Sequence, residues 1–317
     1  FQCSNFMMKV KSKVLITCPP MLLKIEDYRN YFDQNNFEVT TPKIIQTLSE
    51  KKLLDLVPKH DGWIIGDDVV NSKIVKAGKE GSLKAAVKWG VGLDNIDINA
   101  LNDFGIKFTH TPNAFGDEVS DLAMAYILAL ARNIHLIDKE VRTGNWYKPQ
   151  GISLKGKTMG ILGLGDIGKN IAHRAKSFGL DCVGWDPFLK EVPQDLELAA
   201  WPKKIEKCDF IVLSCPLNSK TEYILNEKVF KKMKEGVMLV NVSRGKLINE
   251  KDLIKFLENQ KIKSAALDVF EDEPLRLDNP LIKFKNCLFG SHNASNTLEA
   301  VDKTSVKSIM FLKKLLK

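Results

Sequence analysis

Three stretches late in the chain close apolar runs with polar side chains. MLVNVSRG sets down Arg244, AALDVFEDEP sets down Asp268 and Glu273, and CLFGSH sets down His292. These residue types suit one reaction. A planar guanidinium forks onto a carboxylate in a way that a lysine point charge does not match. An imidazole beside a carboxylate is held in one orientation and favours its cationic form, so Glu273 and His292 make an acid in one direction and a base in the other. Reducing a 2-keto acid asks for that set: a fork for the acid group, a proton for the forming alkoxide and a hydride over the carbonyl carbon. Each residue also has an ordinary reading. A loop histidine is commonly solvated, Glu273 is one charge of the run EDE, and Asp268 suits a turn. Their recurrence at successive strand ends, where ligands gather in an open parallel sheet, argues against all three at once.

A hydride needs a carrier. GILGLGDIGK, residues 160–169, spaces Gly163, Gly165 and Gly168 as G-x-G-x-x-G, after an apolar strand and before the helix-compatible KNIAHRAKSF. The first glycine permits a tight turn, the second lets backbone amides approach a pyrophosphate, and the third lets helix and strand pack closely. The helix that follows offers unpaired N–H donors and a positive dipole end. The next strand, LDCVGWD, ends in Asp186, with Pro187 and Phe188 rather than an arginine after it. A carboxylate there accepts from both ribose hydroxyls and repels a 2′-phosphate, which selects NAD over NADP.

The elements that must position these groups follow an alternating rhythm. VLITCP (14–19), FEVTTP (37–42), DGWIIG (61–66), AAVKWG (85–90) and IKFTHTP (106–112) are strand candidates separated by amphipathic pieces. A long helix is expected from Asp117 to about Thr143, stopped by Gly144 and apolar nearly all round, hence buried against two neighbours or a second subunit. A second series then runs through TMGILGLG, LDCVGWD, CDFIVLSCPL, GVMLVNVS, IKSAALDVF and NCLFGSH, and TLEAVDKTSVKSIMFLKKLLK closes as an amphipathic helix. Strand–helix alternation means parallel sheets with helical crossovers. Two α/β units joined through the 117–143 helix are expected.

Composition narrows the function classes. At 317 residues the chain is long enough for about two domains. A net charge of +8 comes with only six arginines among 47 basic residues, and the lysines are dispersed. That is a solvated surface rather than a phosphate-tracking stripe, so no nucleic-acid partner is expected. The longest helical apolar run, LAMAYILALA, is far short of a membrane span. The six cysteines form no C-x-x-C pair or His–Cys cluster, which argues for a reducing cytoplasm and no metal site. FQCSNFMMKV has no signal-peptide pattern; Phe1 and Gln2 read as additions, with Met7 or Met8 as the natural start.

GLGDIG, NVSRG, DVFEDEP and GSH, in this order and spacing, with KWGVGLDNID (88–97) and TPNAFGDEVSD (111–121) upstream, resemble the D-isomer-specific 2-hydroxyacid dehydrogenases. The family includes phosphoglycerate dehydrogenase and glyoxylate/hydroxypyruvate reductase. The resemblance implies two doubly wound parallel-sheet domains, Rossmann-like and flavodoxin-like, with a cleft between them. Residues 1–112 plus 296–317 would form the substrate-binding domain and 113–295 the NAD-binding domain. It implies Arg244, Glu273 and His292 as the catalytic set, and the Val91 and Gly92 backbone, with Arg244, on the substrate carboxylate. Cofactor contacts would come from Asp166, Ile167, Asp186, Cys215, Thr221, Val242, Ser243, Arg244 and Asp268, the last facing the nicotinamide carboxamide. Relatives are commonly homodimers through the nucleotide domain. An NADH-sensing corepressor-like protein of the same fold is the alternative reading, and formate dehydrogenase a more distant one. Two departures stand out. Lys88 occupies a frequent arginine position, and Gly290-Ser291 replaces the usual Thr-Pro before the histidine, which predicts a less rigid loop.

Overall fold

In a computed structural model, residues 10–194 and 196–317 are described. The chain divides into two compact units, one formed by residues up to Ala114 together with Asn296–Lys317, the other by Phe115–Ser295.

The first unit is a five-stranded sheet built from β1 (Ser12–Ile16), β2 (Phe37–Thr40), β3 (Gly62–Ile65), β4 (Ala85–Lys88) and β5 (Lys107–His110). The order is β2-β1-β3-β4-β5 and every pairing is parallel. The crossovers carry the short helices α1 (Pro19–Leu23), α2 (Arg29–Gln34), α3 (Glu50–Leu56), α4 (Ser72–Glu80) and α5 (Ile98–Asp103). Local chemistry starts these helices. Ser49, Asn71 and Asp97 each accept an N–H from the first turn of the helix they precede, satisfying one otherwise orphaned donor. Strands β3 and β4 are buried along their whole length, as expected where both faces of a parallel sheet are covered. Leu15, Trp63, Ile65, Ile74, Ala86 and Leu101 belong to the apolar cluster on one side. On the other lies the C-terminal helix, which is α11 in chain order (Leu298–Leu316). Its Leu312 methyls sit where a Cβ on Gly62 would fall, 3.0 Å away, and its Ser305 hydroxyl accepts the Trp89 indole N–H at 3.1 Å.

The second unit opens with α6 (Gly116–Arg132) and α7 (Ile134–Arg142). The expected single helix is therefore two. Asn133 turns left-handed between them (φ 54°) and its side-chain amide donates to the Gln150 carbonyl; asparagine is one of the few residues that tolerates this conformation. The all-round apolarity belongs to α6 alone. It packs on α8 (Asp166–Ser177) and on the sheet, burying Val119, Met124, Tyr126, Ile127 and Leu130, whereas no residue of α7 is buried.

Seven parallel strands follow: β6 (Thr158–Leu162), β7 (Asp181–Trp185), β8 (Leu196–Leu198), β9 (Phe210–Leu213), β10 (Val237–Asn241), β11 (Ile262–Leu267) and β12 (Leu288–Phe289). Helices α9 (Glu227–Phe230) and α10 (Glu250–Glu258) lie on the connections. The order β12-β11-β10-β9-β6-β7-β8 reverses direction between β6 and β9. That is the switch point at which such sheets open a crevice at their carboxyl edge. The two α/β sheets expected from the alternating pattern are both present. Core packing explains one glycine in the middle of β6: a Cβ on Gly160 would lie 2.4 Å from the Trp185 ring. Among the described residues no helix is long and apolar enough to cross a membrane, and no His, Cys, Asp and Glu group is placed to hold a metal ion. The five described cysteines are free and buried.

Candidate active site

The glycine loop follows β6 directly. Gly163 has φ +92°, and a Cβ there would meet the Cys215 backbone at 2.6 Å. A Cβ on Gly168 would fall 1.9 Å from the Gly163 carbonyl oxygen, which already accepts the Ser214 hydroxyl at 2.8 Å. These two glycines are demanded by the turn and by helix–strand approach. Gly165 is different. Its φ is −69°, a value any residue adopts, and a Cβ there would meet nothing within 4 Å. No neighbour among the described residues requires glycine at this point, and the residue leaves free space at the N-terminus of α8. That is a cradle fitting the pyrophosphate of a dinucleotide.

Asp186 completes the cofactor side. It follows β7, accepting the Leu164 N–H on Oδ2 and the Phe188 N–H on Oδ1, each at 2.8 Å. Each carboxylate oxygen has further acceptor capacity for a ribose hydroxyl. Asp166 behaves otherwise. Its carboxylate packs over Gly116, whose Cβ would lie 2.4 Å away, and takes the Asn170 amide at 3.3 Å, while Ile167 follows it in the first turn of α8. The Thr221 hydroxyl donates to the Pro216 carbonyl and accepts the Asn218 N–H, locking its own turn. Cys215 is buried, which pushes its thiol up to about 12, and its carbonyl accepts the Ser243 hydroxyl. Val242 is also buried.

Arg244 stands just past β10 in extended backbone. Asn241, fully buried at the strand end, sets the turn: its amide donates to the Arg244 carbonyl at 2.9 Å and its oxygen accepts the Ser243 N–H at 3.1 Å. Arg244 Nη1 donates to the Ser243 carbonyl at 2.8 Å. Gly245 presses against the Phe270 backbone so closely that a Cβ would lie 1.9 Å from it, bringing the loop after β10 against the loop after β11. In that second loop Glu273 takes the Phe270 N–H on Oε1 at 3.0 Å and meets His292 Nδ1 with Oε2 at 2.8 Å. A carboxylate only accepts, so Nδ1 carries the proton and Nε2 is the nitrogen left to exchange one. Both side chains keep about a fifth of their surface exposed.

Asp268 is 1 % exposed. Its Oδ1 accepts the Tyr126 hydroxyl at 3.1 Å and its Oδ2 the Ala294 N–H at 2.9 Å, while its carbonyl accepts the His292 N–H at 2.7 Å. Sequence reasoning missed Tyr126, Asn241 and a further clasp behind the loop. Glu271 N–H donates to Glu250 Oε1 at 2.7 Å and Glu250 N–H to Glu271 Oε1 at 2.8 Å. Burial pushes the Glu250 carboxyl up, opposed by the hydrogen bonds from the Glu271 N–H and the Asn279 amide and reinforced by the Glu271 and Asp272 charges. An uncharged polar residue closing an apolar strand, as Asn241 does, was the one available signal.

In the first unit, Gly90 has φ +121° and its N–H donates to the buried Thr111 hydroxyl at 2.8 Å, fixing the turn that leads to Val91 and Gly92. Lys88 is 2 % exposed, bonded to the Gly66 carbonyl and, at 3.0 Å, to Asp67 Oδ1. Its charge is engaged inside its own unit.

A glycine turn at a sheet's switch point, with a carboxylate closing the neighbouring strand, defines a dinucleotide-binding α/β domain. Residues 124–294 match the profile of the D-isomer specific 2-hydroxyacid dehydrogenase NAD-binding domain. The chain is 38 % identical over 271 residues to D-3-phosphoglycerate dehydrogenase of Methanocaldococcus jannaschii, covering 83 % of this chain and 51 % of that protein. It is 33 % identical over 282 residues to hydroxypyruvate reductase of Thermotoga maritima, covering 87 % and 90 %. The TT0316 protein of Thermus thermophilus superposes with a TM-score of 0.86 at 27 % identity, over 96 % of each chain. The chain therefore belongs to the D-isomer-specific 2-hydroxyacid dehydrogenase family. It spans about half the length of the Methanocaldococcus relative.

Proposed function

We propose that the protein is an oxidoreductase that interconverts a D-2-hydroxy acid and its 2-keto acid with NAD(H). The observation that carries this reading is the 2.8 Å contact between His292 Nδ1 and Glu273 Oε2, at the carboxyl edge of a sheet bearing the dinucleotide turn. The Gly163–Gly168 turn and Asp186 would hold NADH, which would supply the hydride. Ile167, Cys215, Thr221, Val242, Ser243 and Asp268 would supply the remaining contacts to the cofactor. In reduction, His292 Nε2 protonates the forming alkoxide; in oxidation it removes that proton. Glu273 holds the ring on Nδ1 and stabilises its positive charge. Arg244 forks onto the substrate carboxylate, and the backbone amides of Val91 and Gly92 are of the kind that bind an anion.

The segment up to residue 112 with 296–317 serves as the substrate domain, and 113–295 as the NAD domain. The substrate is drawn from the classes in the relatives' names: 3-phosphoglycerate, hydroxypyruvate or glyoxylate. We further propose a cytoplasmic homodimer, with the exposed Ile134 and Val141 of α7 and the following Trp146 as a self-association surface.

The test is NADH absorbance on mixing the protein with glyoxylate, hydroxypyruvate, pyruvate and phosphohydroxypyruvate. Oxidation of NADH with at least one supports the reading; silence across all four favours an NADH-sensing role instead.

A further inference from the structure

His292 sits in left-handed backbone, φ +55°, a conformation that disfavours any side chain with a Cβ and persists only when the surroundings impose it. Two hydrogen bonds do so here, one on the histidine's own amide and one two residues on, and both end on Asp268. The His292 N–H reaches the Asp268 carbonyl and the Ala294 N–H reaches Oδ2. The second of these is only as fixed as the carboxylate plane. A carboxylate held through one oxygen still rotates about its Cβ–Cγ bond; one held through both does not. The second holder is Tyr126, 142 residues away on α6, whose hydroxyl donates to Oδ1. Burial, together with the Asp268 charge, pushes the Tyr126 phenol up and keeps it protonated as a donor.

The place the hydroxyl occupies is equally telling. A Cβ on Gly290 would lie 2.1 Å from Asp268 Oδ1 and 2.3 Å from the Tyr126 hydroxyl oxygen. Gly290 and Tyr126 are thus one steric unit: the side chain missing from the loop is replaced, in space, by a hydroxyl from the helix. The loop that carries the Gly290-Ser291 pair is tied to Asp268 by hydrogen bonds at His292 and Ala294.

We propose that Tyr126 is a positioning residue for the His292–Glu273 pair, its hydroxyl fixing the Asp268 carboxylate so that Asp268 clamps the chain at and beyond His292. The proposal rests on the reading of His292 as the acid–base group, and the test separates the two. Tyr126→Phe keeps the ring packing and removes only the donor. Amide exchange at Ala294, followed by NMR, is expected to accelerate by about tenfold while amides of β10 stay within about twofold. In the same variant kcat for keto-acid reduction falls by about tenfold and KM for NADH moves by less than about twofold. Gly290→Ala provides a second route: its effect on Ala294 exchange is smaller in the Tyr126→Phe background than in the native one, because one of the atoms it would strike is gone. Unchanged Ala294 exchange in Tyr126→Phe overturns the proposal, as does acceleration spread evenly through the unit, or strict additivity with Gly290→Ala. If the native protein reduces no 2-keto acid, the reading of His292 falls, while the exchange measurements still decide whether Tyr126 fixes the loop.

Discussion

His292 Nδ1 lies 2.8 Å from Glu273 Oε2, and the other oxygen of the same carboxylate takes the Phe270 N–H. Glu273 is therefore oriented by its own loop before it orients the ring, and the proton on Nδ1 is fixed by an acceptor that cannot donate. That arrangement holds the ring through Nδ1 and leaves Nε2 as the nitrogen able to exchange a proton.

His292→Ala is expected to lower kcat by about 10²–10⁴-fold, the usual range for a positioned acid–base group. The dinucleotide turn is untouched, so NADH affinity, read by fluorescence titration, changes by less than about twofold. Parallel losses of turnover and NADH binding would show that the histidine does not act as a separate proton carrier.

Arg244→Lys retains the charge and loses the planar fork. A drop of roughly a hundredfold in kcat/KM is expected, since a point charge cannot orient a carboxylate to within an ångström. Steady-state kinetics with near-native values would exclude Arg244 as the clamp.

Gly163 and Gly165 of the turn should respond oppositely to alanine. Gly163→Ala forces a Cβ against the Cys215 backbone at positive φ, and costs about 1–3 kcal/mol of stability. Gly165→Ala meets no protein atom; its Tm is unchanged while NADH binding weakens by about tenfold or more, because the methyl enters the pyrophosphate space. Differential scanning fluorimetry with and without NADH reads both, and a destabilised Gly165→Ala would show that the space serves the fold instead.

Much of this site is locally encoded. Parallel strands buried on both faces read as apolar runs, so a guanidinium, carboxylate or imidazole within a few residues of such a run's end marks the sheet's carboxyl edge. Arg244, Asp268 and His292 stand out that way, with Glu273 a little further along the loop that Asp268 opens. What stayed hidden depends on distant partners or on one backbone angle. Tyr126 sits in an apolar helix, indistinguishable from a core residue until its partner, Asp268, is known. The α6–α7 break rests on Asn133 alone, inside an uninterrupted helical pattern. Edge strand β8 is three residues long and largely exposed, too short for alternation to register.

The Glu250–Glu271 clasp makes a pH prediction. The folded protein raises the Glu250 pKa, first through burial, so the folded state holds the proton to higher pH than the unfolded chain does. The stability associated with this group is complete below the ordinary glutamate value and is lost as pH rises through the folded one. In Glu250→Gln that loss disappears, and urea unfolding at several pH values between about 4 and 7 should show the variant gaining on the native protein as pH increases. A difference that is constant with pH would mean the two states share one pKa.

The left-handed backbone at residue 292 also bears on chemical complementation. Glycine adopts that conformation without the roughly 1–2 kcal/mol that a Cβ incurs, so His292→Gly empties the ring's place without disturbing the main chain that frames it. Free imidazole added to such a variant would find a vacant niche with the Glu273 carboxylate already aimed at it. Recovery of turnover in proportion to added imidazole, and a weaker response to bulkier N-alkylated analogues, would follow from a frame that outlasts the loss of its own side chain.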